Sequence, residues 1–435
     1  MSKNNKSVSQ DTAIKKNSLG QEFIHLPKEA GSLLVSNVRD YAMYIALILI
    51  FIVFNIQSGG VFLSASNISN LINQTGYVAV LAIGMTLILI IRHIDLSVGF
   101  VAAFTGAISA LLMKHYGTPW WLAILAAVGV GVIVGLYQGF LVAYLKVPAF
   151  VTTLAGMFIF RGLLNLSLQK DGTIIVASDK YKSLAGGYIP DISSIGKVID
   201  YHFLTLLIGV ITIALLIFSQ IKARANKKKY NFTVVSTPLF VLGLVISSAV
   251  VVAIILLLAS FNGLPWAAVI VALILLVYNL MLNKTSLGRY IYGIGGNPEA
   301  TELSGVNVKK ITLMCFVSMS TLAAVAGVLY TSRIGSAAPS AGVGFELDAI
   351  ASAYIGGVAV SGGVGKVTNT IIGALVITSL TSGFNLQGVD IAFQYIAKGI
   401  IFIVAVAFDV ISRRGGSNPF SVSKIKGHFA KSSKA

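Results

Sequence analysis

Long apolar segments recur from residue 40 to residue 411, and they constrain the fold of this chain more than any motif does. About 20 predominantly apolar residues are enough to cross the hydrocarbon core of a bilayer as a helix. The segment 346–360 is the weakest candidate, because it is short and begins with Glu346 and Asp348. The candidate spans are 40–57, 71–91, 95–113, 120–145, 149–168, 203–220, 236–259, 264–283, 311–332, 346–360, 367–384 and 391–411.

The composition agrees with an all-α polytopic membrane protein of about 12 transmembrane helices. Of the 435 residues, 56% are hydrophobic and 11% are charged, whereas soluble proteins carry about 25% charged residues. The net charge of +17 does not point to nucleic acid, because nearly all basic residues lie outside the spans, in tails and loops that follow the topology rule. The single cysteine, Cys315, lies in an apolar segment. We therefore expect no disulfide within the chain and no metal site.

The Lys and Arg residues predict the orientation, since cytoplasmic loops of membrane proteins are enriched in them. Most of the 32 fall on one side if both termini are cytoplasmic. This arrangement predicts a cytoplasmic N-terminal tail at 1–39, a transmembrane domain at 40–411 and a basic cytoplasmic tail at 412–435. Within the domain it places the loop 169–202 outside and the loop 283–310 inside. Residues 1–39 carry no cleavage signal, so the first apolar segment is expected to be a retained anchor.

Two irregular stretches leave the topology open. The connection Arg92-His93-Ile94 is very tight, and residues 361–365 form the glycine-rich run SGGVG. The regions 92–95 and 346–360 can each be spanning or re-entrant. Non-helical backbone at membrane depth is tolerated where it is buried in protein or lines a cavity. Both stretches are therefore candidates for a transport pathway.

Polar residues within the spans are the candidate pathway residues, because charge in a membrane is costly and by default marks function. Lys398 lies well inside the last span, and we expect it to pair with an intramembrane acid. Asp95 and Asp348 are either pathway residues or caps of helix N-termini. Ser97, two residues after Asp95, is a further pathway candidate. Arg161 either lines the pathway or snorkels to the membrane surface.

The loop 289–307, RYIYGIGGNPEATELSGVN, predicts a short helix. Asn297 can cap its N-terminus, and Pro298 suits the first helical position. Gly305 can end the helix in a left-handed conformation, and Ala300 and Leu303 would share one face. A helix of about two turns is marginal by itself in water, so it needs a docking surface.

No motif predicts catalysis by this chain. The run GGVGKVT at 362–368 resembles a phosphate-binding loop, but Val360 and Val367 occupy the positions that need glycine and Ser or Thr. The chain is therefore expected to be a transport subunit without an ATPase site and without a bound cofactor.

Several longer motifs occur in a fixed order. They are HIDLSVG at 93–99, VPAFVTTLAGMFIFRGL at 147–163, GNPEATELSGVNV at 296–308, ELDAIASAYIGG at 346–357 and AKGIIFIVAVAFDV at 397–410. In these motifs the chain resembles the permease subunits of bacterial ABC importers for monosaccharides of the ribose, xylose, arabinose and galactose type. The resemblance covers roughly 70–170 and 260–411. The intervening region resembles the longer xylose and multiple-sugar members, which implies a core of about ten helices plus an inserted pair at 203–260.

The resemblance implies a function and a set of partners. The chain would form, with a second copy or a related permease, the path for a pentose or galactose-like sugar through the bacterial plasma membrane by alternating access. A cytoplasmic subunit would bind ATP and Mg, and an extracellular or lipid-anchored protein would deliver the sugar. The family's coupling helix, which docks on the ATPase, maps onto Gly296, Asn297, Pro298, Glu299, Ala300, Leu303, Ser304 and Gly305.

This chain departs from the family pattern at one point of that helix. The family more often has Ala-Ala-Arg after the glutamate, whereas here Ala300 is followed by Thr301 and Glu302. Three alternatives stay open: an ion-coupled secondary transporter, an ABC permease for a non-sugar or modified-sugar solute, and a non-transporting membrane scaffold. The sequence does not discriminate between sugars, nor between a homodimer and a heterodimer of permeases.

Overall fold

Helices make up most of the part of the chain that the computed structural model describes, namely residues 38–192, 201–232 and 234–414. The predicted tails lie outside the described residues, except for helical residues 38–39 and 412–414. The α-helices are α1 Val38–Gln57, α2 Ala65–Ile90, α3 Val98–Tyr116, α4 Trp120–Ala143, α5 Ala149–Leu168, α6 Asp179–Gly186, α7 Phe203–Lys229, α8 Thr237–Ala259, α9 Trp266–Lys284, α10 Ser286–Gly296, α11 Pro298–Leu303, α12 Val308–Ile334, α13 Phe345–Ile355, α14 Val367–Leu386 and α15 Ile391–Arg414. A 3-10 turn, Val61–Leu63, precedes α2, and two short strands, β1 Ile174–Ile175 and β2 Ser336–Ala337, complete the elements.

The all-α membrane architecture is confirmed. Within the described residues, 10 helices are long and apolar enough to cross a membrane: α2 to α5, α7 to α9, α12, α14 and α15. The first apolar segment is also helical, and its apolar part, Tyr41–Gln57, is shorter than these.

Helix α13 covers only part of the candidate span 346–360, which the sequence left open as spanning or re-entrant. Helix α13 has 11 residues, which span about 16 Å of a hydrocarbon core about 30 Å thick. It begins after Gly344, whose φ is 79°, and Gly357, just beyond its end, has a φ of 85°. Backbone of this left-handed type is readily adopted only by glycine, so these two residues interrupt the helix where the apolar pattern continues.

The chain nevertheless traverses the fold between α12 and α14. Helix α2 runs antiparallel to α14, since Thr75 pairs with Thr378 and Thr86 pairs with Thr370 through their hydroxyl groups, at 2.7 and 2.8 Å. Helix α2 also runs antiparallel to α12, because Gly84 lies against Met319 and Tyr77 against Tyr330. Helices α12 and α14 are therefore parallel. The segment 335–366 must carry the chain back, and it does so as one short helix with irregular backbone on both sides.

Helix α12 is the centre of the packing and contacts α2, α3 and α4. Small residues allow these close approaches. A Cβ atom on Gly327 would lie 1.9 Å from the carbonyl oxygen of Ala102 in α3. A Cβ atom on Gly135 of α4 would lie 2.5 Å from the Cα atom of Val317. Phe316 and Met319 of α12 are fully buried; Met319 lies against Gly84 of α2, and Phe316 lies against Gly139 of α4.

The predicted outer loop 169–202 contains regular structure. Strand β1 pairs with β2 in an antiparallel register, with Ile174 opposite Ala337. Helix α6 inserts the buried Tyr181, whose hydroxyl group lies 2.6 Å from that of Ser109 in α3. Residues 193–200 of this loop lie outside the described residues. The remainder is held against the ends of α3 and α12 rather than extending freely.

At the end of α3, an acidic residue of the same loop has two basic partners. Lys114 donates to Oδ1 of Asp171, and Nε2 of His115 lies 2.8 Å from Oδ2. The hydrogen bond with Lys114 and, to a smaller extent, the one with His115 hold the pKa of Asp171 below its usual range. The carboxylate therefore stays ionised and ties the loop to α3.

Residues Ile208–Ile254 belong to one compact unit, and the described residues from Arg39 to Leu207 and from Ile255 onward form a second unit. The first unit is a pair of apolar helical segments from α7 and α8. Within it, Arg224 donates to the hydroxyl oxygen of Thr237 at 3.0 Å and lies over the ring of Phe240. The basic stretch 222–229 lies beyond the predicted span 203–220 and forms the last turns of α7. Cations are favoured there by the helix dipole.

Candidate functional site

Lys398, for which the sequence predicts pairing with an unspecified intramembrane acid, pairs with Asp348 on the interrupted helix α13. Nζ of Lys398, in α15, donates to both carboxylate oxygens of Asp348 at 2.9 and 3.1 Å. The two side chains are 20% and 16% exposed, respectively, so the pair is largely removed from solvent. Asp348 lies in the first turn of α13 and does not cap it, because the capping position is occupied by Gly344. The alternative of Asp348 as an N-terminal cap is therefore wrong.

A cavity of about 400 Å³ surrounds this ion pair. That volume lies within the range of small-molecule sites, about 300 to 1,000 Å³. Its polar lining combines charged, amide and hydroxyl groups, while its aromatic lining comes from three helices, α2, α13 and α15. The polar residues are Gln74, Asp348, Thr378, Thr381, Gln394 and Lys398, and the aromatic residues are Tyr77, Phe345, Tyr395 and Phe402.

The chemistry of this lining suits a neutral, polyhydroxylated molecule. Amide and carboxylate oxygens accept hydrogen bonds from hydroxyl groups, and amide, ammonium and hydroxyl groups donate to them. Aromatic rings offer flat apolar surfaces for the C–H faces of such a molecule. Because Asp348 and Lys398 neutralise each other, the cavity presents no uncompensated charge from this pair.

Asp95 and Ser97 form a second polar cluster, in the short connection between α2 and α3. The backbone N–H and the hydroxyl group of Ser97 both donate to Oδ1 of Asp95, at 2.9 and 2.6 Å. The amide of Gln138, in α4, donates to the hydroxyl oxygen of Ser97 at 2.9 Å. Asp95, Ser97 and Gln138 are all fully buried. Among the described residues, none donates to Oδ2 of Asp95.

Asp95 therefore has a local structural role without being the cap of α3. The residue that precedes the first helical turn is Ser97, and Asp95 holds Ser97 in place through both of its hydrogen bonds. Gly156 of α5 packs against this cluster, since a Cβ atom there would lie 2.4 Å from the amide nitrogen of Gln138. The cluster thus joins α3, α4 and α5.

Arg161 lies apart from both polar clusters. Its side chain is exposed, and its guanidinium group lies 5.5 Å from the centre of the Phe100 ring. Of the five predicted pathway residues, the structure brings Asp348 together with Lys398 and Asp95 together with Ser97, and it leaves Arg161 on its own. In the described residues, no group of three or more His, Cys, Asp or Glu side chains is arranged to hold a metal ion.

The predicted coupling helix is α11, with the expected cap. Oδ1 of Asn297 accepts a hydrogen bond from the N–H of Ala300 at 3.0 Å, Pro298 begins the helix, and Gly305 has a φ of 85°. None of the six residues of α11 is buried against the rest of the described chain. Leu303 is 90% exposed.

Helix α10, which precedes α11, was not expected. The sequence predicts one short helix in the cytoplasmic loop 283–310, from the cap Asn297 onward, whereas α10 already begins at Ser286. Thr285 caps α10 by accepting a hydrogen bond from the N–H of Gly288. Its residues Ile291 and Ile294 are buried. The signal was the Thr285 cap followed by apolar residues at helical spacing, and the three glycines at 293, 295 and 296 obscured it.

Sequence reasoning also missed most of the cavity lining. Gln74 and Tyr77 are three residues apart on α2, and Gln394 and Lys398 are four apart on α15. Such spacings place each pair on one helix face. This periodicity was the available signal, but it does not tell which face turns toward α13.

A family model described as "Branched-chain amino acid transport system / permease component" matches residues 67–406. The chain belongs to this permease family. The match begins within α2 and ends within α15, so it includes the cavity, the Asp95 cluster and α11. No solved structure matches the permease.

Characterised relatives align with the permease over most of its length. It is 36% identical to the xylose transport system permease protein XylH of Haemophilus influenzae, over 87% of this chain and 98% of the relative. It is 35% identical to XylH of Escherichia coli K12, over 87% of this chain and 93% of the relative. It is 33% identical to the ribose import permease protein RbsC of Haemophilus influenzae, over 84% of this chain and 91% of the relative.

Proposed function

We propose that this permease is the membrane subunit of an ATP-driven importer of a monosaccharide, with xylose as the first candidate and ribose as the second. The observation that carries the proposal is the 36% identity to a xylose transport permease over 98% of that protein. Identity at this level over nearly the whole length of a relative supports a shared transport role. The second identified sugar permease, for ribose, is 33% identical, which keeps ribose as the alternative substrate.

The energy for import comes, in this proposal, from a separate subunit that binds ATP and Mg and docks on α11. Support comes from the surface that α11 presents: Leu303 is 90% exposed, and Ala300 and Ser304 are exposed beside it. An exposed apolar residue on a capped helix is a suitable anchor for a groove on another protein. The docking residues are those predicted from the sequence, 296–300 and 303–305.

The sugar passes, in this proposal, through the cavity that contains Asp348 and Lys398. Its mixture of hydroxyl, amide and aromatic groups matches a sugar, and its place beside the interrupted helix α13 matches a pathway in which non-helical backbone is tolerated. Asp95, Ser97 and Arg161 remain predictions as pathway residues. A second permease copy and an extracellular sugar-binding protein complete the proposed importer in the bacterial inner membrane.

Reconstitution tests this function. The full chain is placed in liposomes with the ATP-hydrolysing subunit and the binding protein of its system, and uptake of labelled xylose and ribose is measured. We expect uptake only with ATP inside, where the ATPase binds. Ala300→Arg introduces a charge into the docking face of α11, so both uptake and co-purification of the ATPase should fall by about tenfold or more.

Lys284→Gln is the matched control, since Lys284 is an exposed residue on the same predicted side, at the end of α9. It should behave like the unaltered permease. Sugar uptake driven by an ion gradient without the ATPase would contradict the proposal and favour a secondary transporter. Uptake of neither sugar, despite ATP hydrolysis by an assembled complex, would favour a non-sugar solute.

A further inference from the structure

Arg92 joins the end of α2 to the residues that lead into α11. Its Nε atom donates to the carbonyl oxygen of Gly295 at 2.6 Å, and one of its terminal nitrogens donates to the carbonyl oxygen of Gly296. These are the last two residues of α10, directly before the cap Asn297. A guanidinium group suits this place, because it donates two parallel hydrogen bonds and its charge complements the C-terminal end of a helix dipole.

The backbone of Arg92 is adapted to this contact. Its φ is 65°, a left-handed conformation that residues with a side chain adopt rarely. The conformation turns the chain sharply after α2, and the stem of the side chain then lies on Gly362, where a Cβ atom would be 2.3 Å from Cγ of Arg92. Arg92 thus contacts α10 with its guanidinium group and the glycine-rich segment with its stem.

The glycine-rich segment is bound to the same place by its backbone. The N–H of Gly363 donates to the carbonyl oxygen of Ile90 at 2.8 Å, and the hydroxyl group of Tyr292 donates to the carbonyl oxygen of Gly365 at 2.7 Å. A Cβ atom on Gly295 would lie 2.0 Å from the Ile90 carbonyl oxygen and 2.5 Å from the Gly363 nitrogen. The ends of α2 and α10 and the segment after α13 are therefore in backbone contact.

We infer that Arg92 is a positioning residue that transmits movement of α11 to α13 and so to the Asp348–Lys398 cavity. Helix α11 buries none of its own residues in the described chain, so a displacement imposed on it passes into α10, whose C-terminus Arg92 holds. From there the contacts of Gly363 and Gly365 lead back along residues 356–366 to α13. The inference rests on the proposed function, since the displacement would come from an ATPase docked on α11.

The test separates transmission from assembly and from folding. Arg92 is exposed, so Arg92→Gln removes two donors to carbonyl oxygens without opening a cavity. The complex is reconstituted with its ATPase and binding protein, and ATP hydrolysis and uptake of labelled xylose or ribose are measured in the same liposomes. We expect the variant to co-purify with the ATPase and hydrolyse ATP while the sugar taken up per ATP falls by about tenfold.

Two further variants keep the result independent of the stability of Arg92→Gln. Arg92→Lys, which retains one charged donor, should recover part of the uptake per ATP. Tyr292→Phe removes only the hydroxyl bond to Gly365 and should shift the ratio in the same direction. Lys146→Gln is the matched control, because Lys146 is also exposed, basic and left-handed, with a φ of 57°. It should leave the ratio unchanged.

The possible outcomes are distinct. An unchanged ratio in both Arg92→Gln and Tyr292→Phe overturns the inference and leaves the proposed function standing. Loss of ATPase binding together with uptake in Arg92→Gln, with a normal ratio in Tyr292→Phe, also overturns it, because Arg92 would then only stabilise the docking site. Failure of the unaltered complex to couple ATP to uptake would instead contradict the proposed function itself.

Discussion

The chemistry of Lys398 alone predicts that it has an acidic partner, and the structure shows that this partner is Asp348. An ammonium group within a membrane span needs a counter-charge, since an isolated charge is costly there. The identity of the counter-charge followed only from the fold, because the two residues are 50 positions apart. The short distances to both carboxylate oxygens show a fully formed ion pair.

We predict that the two residues stabilise the fold only as a pair. Asp348→Asn and Lys398→Met should each lower the free energy of unfolding by about 3 kcal/mol, because each leaves one partly buried charge without its partner. The double variant should recover most of this loss. The measurement is a double-mutant cycle from unfolding in mixed micelles of a mild detergent and dodecyl sulfate. Losses that simply add in the double variant would show that the pair has no coupling energy.

At the scale of the element, α13 is held in place by close packing against α14. A Cβ atom on Gly373 of α14 would lie 1.9 Å from the carbonyl oxygen of Ser352, and one on Gly356 would lie 2.6 Å from the Cα atom of Thr370. Gly373 and Gly356 therefore allow close packing between α13 and α14. Close packing holds a helix of 11 residues that is too short to cross the bilayer by itself.

We therefore predict that a larger side chain on α14, at its contact with α13, destabilises the permease. Gly373→Leu should destabilise the permease by about 2 to 3 kcal/mol, the cost of overpacking a close contact, and should reduce the yield of folded protein. Gly162→Leu is the control, because the space around Gly162 in α5 is open. The measurement is the apparent melting temperature in detergent. An equal effect of the two substitutions would mean that leucine itself, rather than the α13–α14 contact, is responsible.

At the scale of the whole molecule, the chain divides into the unit Ile208–Ile254 and the unit that holds every candidate site residue. Within the second unit, the residues that precede position 208 are hydrogen-bonded to the residues that follow position 254. The N–H of His202 donates to the carbonyl oxygen of Ala259 at 2.9 Å, and the N–H of Leu264 donates to the hydroxyl oxygen of Thr205 at 2.9 Å.

We therefore predict that residues 208–254 can be replaced by a short glycine-serine linker. The shortened chain should insert in the membrane and co-purify with its ATPase, since an even number of spans is removed and the orientation of all later segments is kept. Removal of α8 alone is the contrasting variant. It deletes one span and should abolish assembly. Loss of assembly in the first variant would assign residues 208–254 a role in the complex.

The sequence was sufficient for features that depend on local chemistry. It predicted the membrane class, most of the helices and the capped helix α11, including the cap Asn297 and the left-handed Gly305. Transfer of apolar side chains into a bilayer is nearly a sum over residues of one segment, and capping involves groups within one turn. Such properties can be read from neighbouring residues alone.

Only the tertiary structure decided how distant segments meet. It set the length of α13, because glycine conformations and packing against α14 interrupt an apolar run that otherwise continues. It paired Asp348 with Lys398, gathered the other cavity residues, and placed Arg92 against Gly295, 203 residues further along the chain. Contacts of this kind depend on which helix faces turn toward each other, and helical periodicity fixes a face without fixing its partner.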